Sequence, residues 1–427
     1  MLHKSLAAVV LGAAAVITAQ NAGPGSSSGS SSMLYVSSYS GKITALALDK
    51  GAAKAGGGGG GGGASFLALD AKRNILFSCD EGFQSAEGNG TLFALQVEQN
   101  GSLRELGKQK TQAGPVFMGF FGANNDTMAI PHFGGKAVSV WNVADPSKMA
   151  EVQRENFELE KPGPKPAQTE AKPHQAAVDP TRKFVVAPDL GADMLRLFAI
   201  APSAGDNNSN GQTGAAPQAQ GGGGNQLLKP LQPVPVKPGS GPRHAAFAVA
   251  GPKTYMYVVT ELSSEIMGFD VAYSGAGGME LKPLFTMKVH GKNESNTPEF
   301  AAASEIAVSP DNQFLLVASR NESTLRVPNF DGAAANSNAA DVVSDSLSNY
   351  RIDPATGSLG EVQIRVPSGG RFPRQFSMSG DGALVAVANQ LDGRVVVMER
   401  NPQTGMLGGF VGQALLDGNV TSVVFRE

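Results

Sequence analysis

One pattern recurs along this chain of 427 residues, and it constrains the fold more than any single motif. It is clearest between Lys172 and Phe198, where 175–178, 184–187 and 194–198 read as three short strands. Asp179-Pro180 supplies one turn and 190–193 the next, and polar residues stand at the strand ends, at His174 and Asp189. Three further copies follow. Pro242-Arg243-His244 leads to Thr260-Glu261, Ala303-Ser304-Glu305 leads to Ser319-Arg320, and Pro373-Arg374-Gln375 leads to Asn389-Gln390. Weaker copies precede them around 65–80 and 116–132. A few short strands cannot bury both of their faces alone, and stacking such units radially gives a β-propeller.

Six units are visible, and a seventh can be assembled from the two ends of the chain: 33–38 and 42–48 at the start, 422–426 at the finish. Joining both termini in one blade leaves no open sheet edge. The expectation is an all-β, seven-bladed propeller forming one domain over 33–427. Composition agrees with it. The 54 glycines and 26 prolines suit many turns. Only 17% of residues are charged and the net charge is −3, which argues against a nucleic-acid partner.

The first residues resemble a secretory signal. Lys4 carries the positive charge, 5–19 is an apolar run of small residues, and cleavage would follow Ala19; an uncleaved anchor is the alternative. No membrane span is expected in the mature chain. Residues 20–32 read as a Gly/Ser linker. Seven N-x-S/T sequons, at Asn89, Asn100, Asn125, Asn207, Asn293, Asn321 and Asn419, suit a secreted glycoprotein carrying N-linked glycans. Cys79 is the only cysteine, so no internal disulfide can form, and its place at a strand end suggests a small buried hydrophobe. Low-complexity loop insertions are read at 51–63, 202–226 and 330–346. The glycine run in the first lacks the Lys-Ser/Thr and the helix that a phosphate-binding loop requires. Residues 156–172 are rich in Glu, Lys and Pro and are placed to cross one face of the disc.

Putting the units in register exposes two rings. Ser65, Val116, His174, Arg243, Ser304 and Arg374 head the first strands; Tyr39, Asp80, His132, Asp189, Glu261, Arg320 and Gln390 end the second strands. Equivalent positions of successive blades circle the propeller axis, so both rings should flank the central channel. Asp80 and Asp189 also suit turn capping, and His132 simple packing. His244 and Glu305 alternate with the ring positions and are expected to point the other way. Arginine and glutamate are seldom buried unpaired, so Arg243, Glu261, Arg320 and Arg374 suggest a positive axial pocket for a small carboxylate- or phosphate-bearing substrate. Gln390 joins the substrate-binding set, and His174 and Glu261 offer proton transfer. An internal salt-bridge network without a ligand is the alternative.

The segments around His174, Arg243, Glu261, Arg320 and Arg374 resemble the seven-bladed propeller lactonase family. That family includes the propeller-type 6-phosphogluconolactonases and the fungal 3-carboxy-cis,cis-muconate lactonizing enzymes. The resemblance runs from about Leu34 to the end and is most specific from His174 to Gln390. It implies an axial site that works without metal or cofactor. The His, two Arg and Glu proposed for the cyclases match His174, Arg243, Arg320 and Glu261 in chain order. It further implies that the arginines hold substrate carboxylates and stabilise developing negative charge, while Glu261 and His174 move protons, in either the lactone-forming or the lactone-hydrolysing direction. Which of the two is the acid stays open. Two competing readings are a non-catalytic secreted propeller acting as a binding or adhesion module, and a calcium-dependent lactonase using Asp80, Asp189 and Glu261. The neighbouring arginines disfavour the cation.

Overall fold

The computed structural model describes residues 32–48, 55–59, 63–83, 85–122, 124–201, 226–274, 278–291, 298–329 and 340–426. These form seven antiparallel sheets of at least four strands each, plus one two-stranded ribbon. The inner strands of blades 2 to 7 are Ala64–Asp70, Gly119–Phe121, Ala177–Val178, Pro242–Ala250, Ala302–Val308 and Pro373–Met378. Blade 1 is shared by both ends of the described chain. Val420–Arg426 is its inner strand and pairs with Ser32–Ser38, with Leu34 opposite Phe425 and Val36 opposite Val423. The expected seven-bladed propeller and its closure from both ends are both found.

The burial pattern explains why the strands read as they do. Second strands lie between two neighbouring blades and are covered on both faces. Ile75–Asp80, Phe184–Asp189 and Phe314–Arg320 are buried at every position and therefore show continuous apolar runs rather than alternation. Outer strands meet solvent, and Ala150–Asn156 alternates between exposed and half-buried. The core is divided among seven apolar clusters, one at each seam between adjacent blades. The seam between blades 2 and 3, for example, packs Phe77 and Leu92 against Met128 and Trp141.

Near the axis, side chains at the heads of four inner strands tie one blade to the next. Thr421 donates to the Ala64 carbonyl at 2.6 Å, Ser65 to that of Pro115 at 3.0 Å, and Ser304 to that of Pro373 at 2.6 Å. Arg243 Nη1 does the same to Ser304. The loop expectations need correcting at two places. Within 51–63, Ala55–Gly59 is an outer strand of blade 1, paired with Lys42–Leu48. Within 330–346, Val342–Ser344 forms the ribbon with Leu325–Val327, and Ser346 opens the third strand of blade 6. Residues 1–31, 202–225 and 330–339, which carry the signal, linker and most of the other insertion readings, lie outside the described residues. The segment 157–172 contains no strand, and Lys172 donates its N–H to Asp189 at 2.7 Å.

Candidate active site

The site begins with a break in strand register. The inner and second strands of blades 2, 5, 6 and 7 pair regularly except at one spot near the strand head. Shifts fall between Ala64 and Phe66, Pro242 and His244, Ala303 and Ile306, and Pro373 and Gln375. The displaced residues are Ser65, Arg243, Ser304–Glu305 and Arg374. A bulge of this kind bends the strand and re-aims side chains. It also cancels the simple alternation of faces, so His244 and Glu305 do not point away as expected. Both join His174 in the axial site. A small central cavity of about 10 Å³, room for roughly one water, is lined from all seven blades, among them by His174, Arg243, His244, Glu305 and Arg374.

Three of the expected site residues meet directly. Glu261 Oε2 lies 2.9 Å from Arg243 Nε and 2.8 Å from Arg320 Nη2. Arg243 is only 2% exposed, whereas the Glu261 side chain is 24% exposed, so the cluster runs from the buried axis toward the open face. Burial by itself would raise the Glu261 carboxyl, but Arg320 and Arg243 overcome it and hold the group below the usual carboxylate range. Glu261 is therefore an anion clamped between two cations. Burial, then the repulsion of Arg320, lowers Arg243 to about 9, which leaves it charged at neutral pH. Its Nε–H is buried and lacks a hydrogen-bond acceptor, the Glu261 contact being one of charge.

Arg374 belongs to the same field through a second set of partners. Its Nη2 is 3.0 Å from Glu81 Oε1, its guanidinium lies over the Tyr39 ring, and the Tyr39 hydroxyl donates to Glu81 at 2.7 Å. Gln390 opens a short 3-10 turn, is buried, and its Oε1 has no partner among the described residues. His174 is buried, with Nδ1 3.1 Å from His244 Nε2; His244 Nδ1 is 2.9 Å from Glu305 Oε1. Phe133 packs edge-on against His174 and receives Lys172 on its ring, so the 157–172 segment reaches the site.

Several other ring residues are structural. Asp189 accepts from the N–H groups of Lys172 and Ala192 and pairs with Arg196 at 2.7 Å. Asp80 accepts from Gly82 N–H at 2.9 Å. With Glu261 held by arginines, each carboxylate of the calcium reading is engaged elsewhere. His132 is fully buried against Ser139, and burial lowers it to about 3, so it is neutral. Cys79 is a buried thiol pushed up to about 12 by desolvation.

Besides His244 and Glu305, the sequence reading missed Glu81, Phe372 and Asp345. Phe372 sits in the left-handed region at φ 62°, an unusual place for a bulky side chain, and its ring lies 4.7 Å from the Arg320 guanidinium. Asp345 holds both sides of that contact. It accepts N–H groups from Asn321, Glu322 and Ser323 on one side and from Phe372 on the other. A larger cleft, about 460 Å³, opens beside Leu262, the neighbour of Glu261, with Lys165, Lys237, Lys288 and His290 in its wall.

Comparison with known proteins agrees with the fold. The family description "Lactonase, 7-bladed beta-propeller" matches residues 33–425. The chain belongs to the seven-bladed β-propeller lactonase family. Among its relatives, a protein of Arthroderma benhamiae named "Probable 6-phosphogluconolactonase" is 27% identical over 74% of this chain and 68% of its own. The 6-phosphogluconolactonase of Bacillus subtilis is 26% identical over 89% and 90%. A solved periplasmic gluconolactonase of Pseudomonas aeruginosa superposes with a TM-score of 0.73 at 23% identity, covering 93% of this chain and 99% of its own; at that identity it shows the shared fold. The chain is thus a member of an enzyme family whose relatives are named as lactonases.

Proposed function

We propose that this lactonase hydrolyses a small anionic sugar-acid lactone at the mouth of the axial channel, using His174, Arg243, Glu261, Arg320, Arg374 and Gln390. The observation that carries the reading is the Glu261 clamp, whose Arg243 shares the central cavity with His174: two buried arginines are fixed by one carboxylate, and one of them keeps an N–H without an acceptor. Buried donors are nearly always satisfied, and a substrate oxygen would satisfy this one. Preorganised guanidinium groups also stabilise charge that develops during attack.

In this mechanism His174 takes a proton from water while the water oxygen attacks the lactone carbonyl carbon. The negative charge moves onto the carbonyl oxygen, facing Arg243 and Arg320. The intermediate collapses by breaking the bond from that carbon to the ring oxygen, and the leaving oxygen takes the proton back from His174. The product is an open-chain hydroxy acid. We assign this exchange to His174, which is neutral at pH 7, and leave Glu261 as the anion that holds the two arginines. Arg374, which lines the central cavity, is assigned with the buried Gln390 to orienting the substrate. The names of the relatives point to 6-phosphogluconolactone as the substrate. Cyclisation of 3-carboxy-cis,cis-muconate is the alternative substrate reading.

We also propose export of the protein and glycosylation. The signal-like first 19 residues support this, as do the exposed sequons at Asn100 and Asn419, which lie away from Arg320 in the sequence. Mobility before and after glycosidase treatment of the natively produced protein tests it: an unshifted band would contradict the glycan. Turnover of 6-phosphogluconolactone, glucono-1,5-lactone and 3-carboxy-cis,cis-muconate by the purified chain identifies the substrate class. An intact, folded protein that turns over none of them contradicts the enzymatic reading.

A further inference from the structure

The structure assigns a role to two residues outside the expected site: His244 and Glu305 form a relay that fixes the tautomer of His174 and makes its Nε2 the proton-accepting atom. The inference rests on the lactonase reading for its catalytic meaning, but the relay itself follows from geometry. Arg243 Nη1 lies 3.5 Å from His244 Nε2, and a guanidinium can only donate. The stronger constraint is the Glu305 carboxylate, which can only accept and so places the His244 proton on Nδ1 and leaves the lone pair on Nε2; the longer Arg243 contact agrees with this. That Nδ1 is 2.9 Å from Glu305 Oε1, which accepts it. With Nε2 of His244 an acceptor, the 3.1 Å contact from His174 Nδ1 is a donated N–H. The neutral His174 ring then has its lone pair on Nε2.

Burial supports the same assignment. Desolvation keeps both imidazoles neutral at pH 7, Arg243 and Arg374 adding repulsion on each; Glu305 opposes that on His244. A carboxylate–histidine–histidine chain thus aligns the base and tempers the positive charge it acquires, as a carboxylate does for the base of a catalytic triad. Glu305 is itself held by the Ile306 N–H at 3.1 Å, and the bulge in blade 6 is what turns it toward His244. His244 and Glu305 are positioning residues, since the chemistry passes through His174.

Nitrogen NMR of the full chain with labelled histidines reads the tautomers directly, and it does so whether or not the lactone substrate is correct. The expected spectrum shows protonated Nδ1 and bare Nε2 for both His174 and His244. A His174 ring protonated on Nε2 overturns the proposal. The second test is the pH profile of Glu305→Gln, which keeps an acceptor for His244 but removes the charge. The groups facing the relay are Arg243, Arg374 and Glu305, with Glu261 and Arg320 beyond. Losing one negative charge makes the His174 imidazolium more acidic. The acid limb of kcat/KM should therefore move to lower pH, with kcat down at least about tenfold and KM nearly unchanged. A uniform loss at every pH, with the limb in place, would mean a merely structural role and overturns the proposal. Absence of lactone turnover in the wild type would sink the substrate reading, leaving the spectrum to decide the relay.

Discussion

Three of the buried histidines, His132, His174 and His244, set how the protein should respond to acid. His132 is lowered to about 3, and His174 and His244 are lowered too, burial being the main cause in each. Below pH 6.5 the unfolded chain binds protons that the folded one refuses, so stability falls as the pH drops, by up to about 1.4 kcal/mol per pH unit for each histidine. Glu261 acts in the same direction lower down. Its folded carboxyl titrates below the usual range, so its contribution is present above about pH 4.5 and is lost as the pH falls through the lowered value. Thermal melts should show a steady Tm above pH 7 and a decline from about pH 6.5 downward; a flat Tm to pH 5 would contradict this. Asp345 makes a second prediction. Asp345→Ala frees Phe372 and the Arg320 loop, and kcat/KM should fall while the circular dichroism stays that of a β protein; full activity would show that Arg320 needs no such support. Most of the charged site was legible in the sequence, because Arg243, Glu261, Arg320 and Arg374 are types that chains seldom bury without a reason. Asp345 was not, because its value lies in accepting backbone N–H groups from two distant loops, which leaves no local pattern.

At the scale of the strand, the propeller uses a bulge at the head of several inner strands to turn polar side chains toward the axis. This is why the sequence located the rings but misjudged His244 and Glu305. Alternation assumes an unbroken ladder, and the shift in register depends on pairing with a partner strand that the local sequence does not specify. The strand Ala55–Gly59 was hidden for a different reason. Glycine has low strand propensity, and here an edge position on Lys42–Leu48 supplies the backbone hydrogen bonds. The closing strand Val420–Arg426 gives the sharpest test. Without residues 420–427, Ser32–Ser38 loses its inner partner, and the Thr421 link to Ala64 and the Val423 link to Gln375 disappear. The truncated chain should aggregate or melt well below the full chain on size-exclusion and thermal assays. A soluble monomer with unchanged Tm would show that closure contributes little.

The whole ring is stabilised through its seams. Among the described residues the apolar core consists of seven clusters, each shared by two blades rather than held within one. A defect at one seam should therefore lower the stability of the ring as a unit. Phe77→Ala removes a fully buried ring that meets Phe120 edge-on at 5.5 Å, and should cost about 3–5 kcal/mol in urea unfolding. A loss under about 1 kcal/mol would show that the seam relaxes to fill the space. The fold was the most legible level of all, because the repeat and the two-ended blade both follow from the need to bury every face and leave no open edge. The substrate was the least legible, since propellers present many chemistries on one scaffold and only the residues at the axis distinguish them. The central claim, that this axis is a lactone-hydrolysing site, is tested most directly by 6-phosphogluconolactone hydrolysis with wild type and Arg320→Ala side by side. The account predicts turnover by the wild type and a loss of about 10²-fold or more in kcat in the folded variant. Equal rates in the two proteins would place the chemistry elsewhere and contradict it.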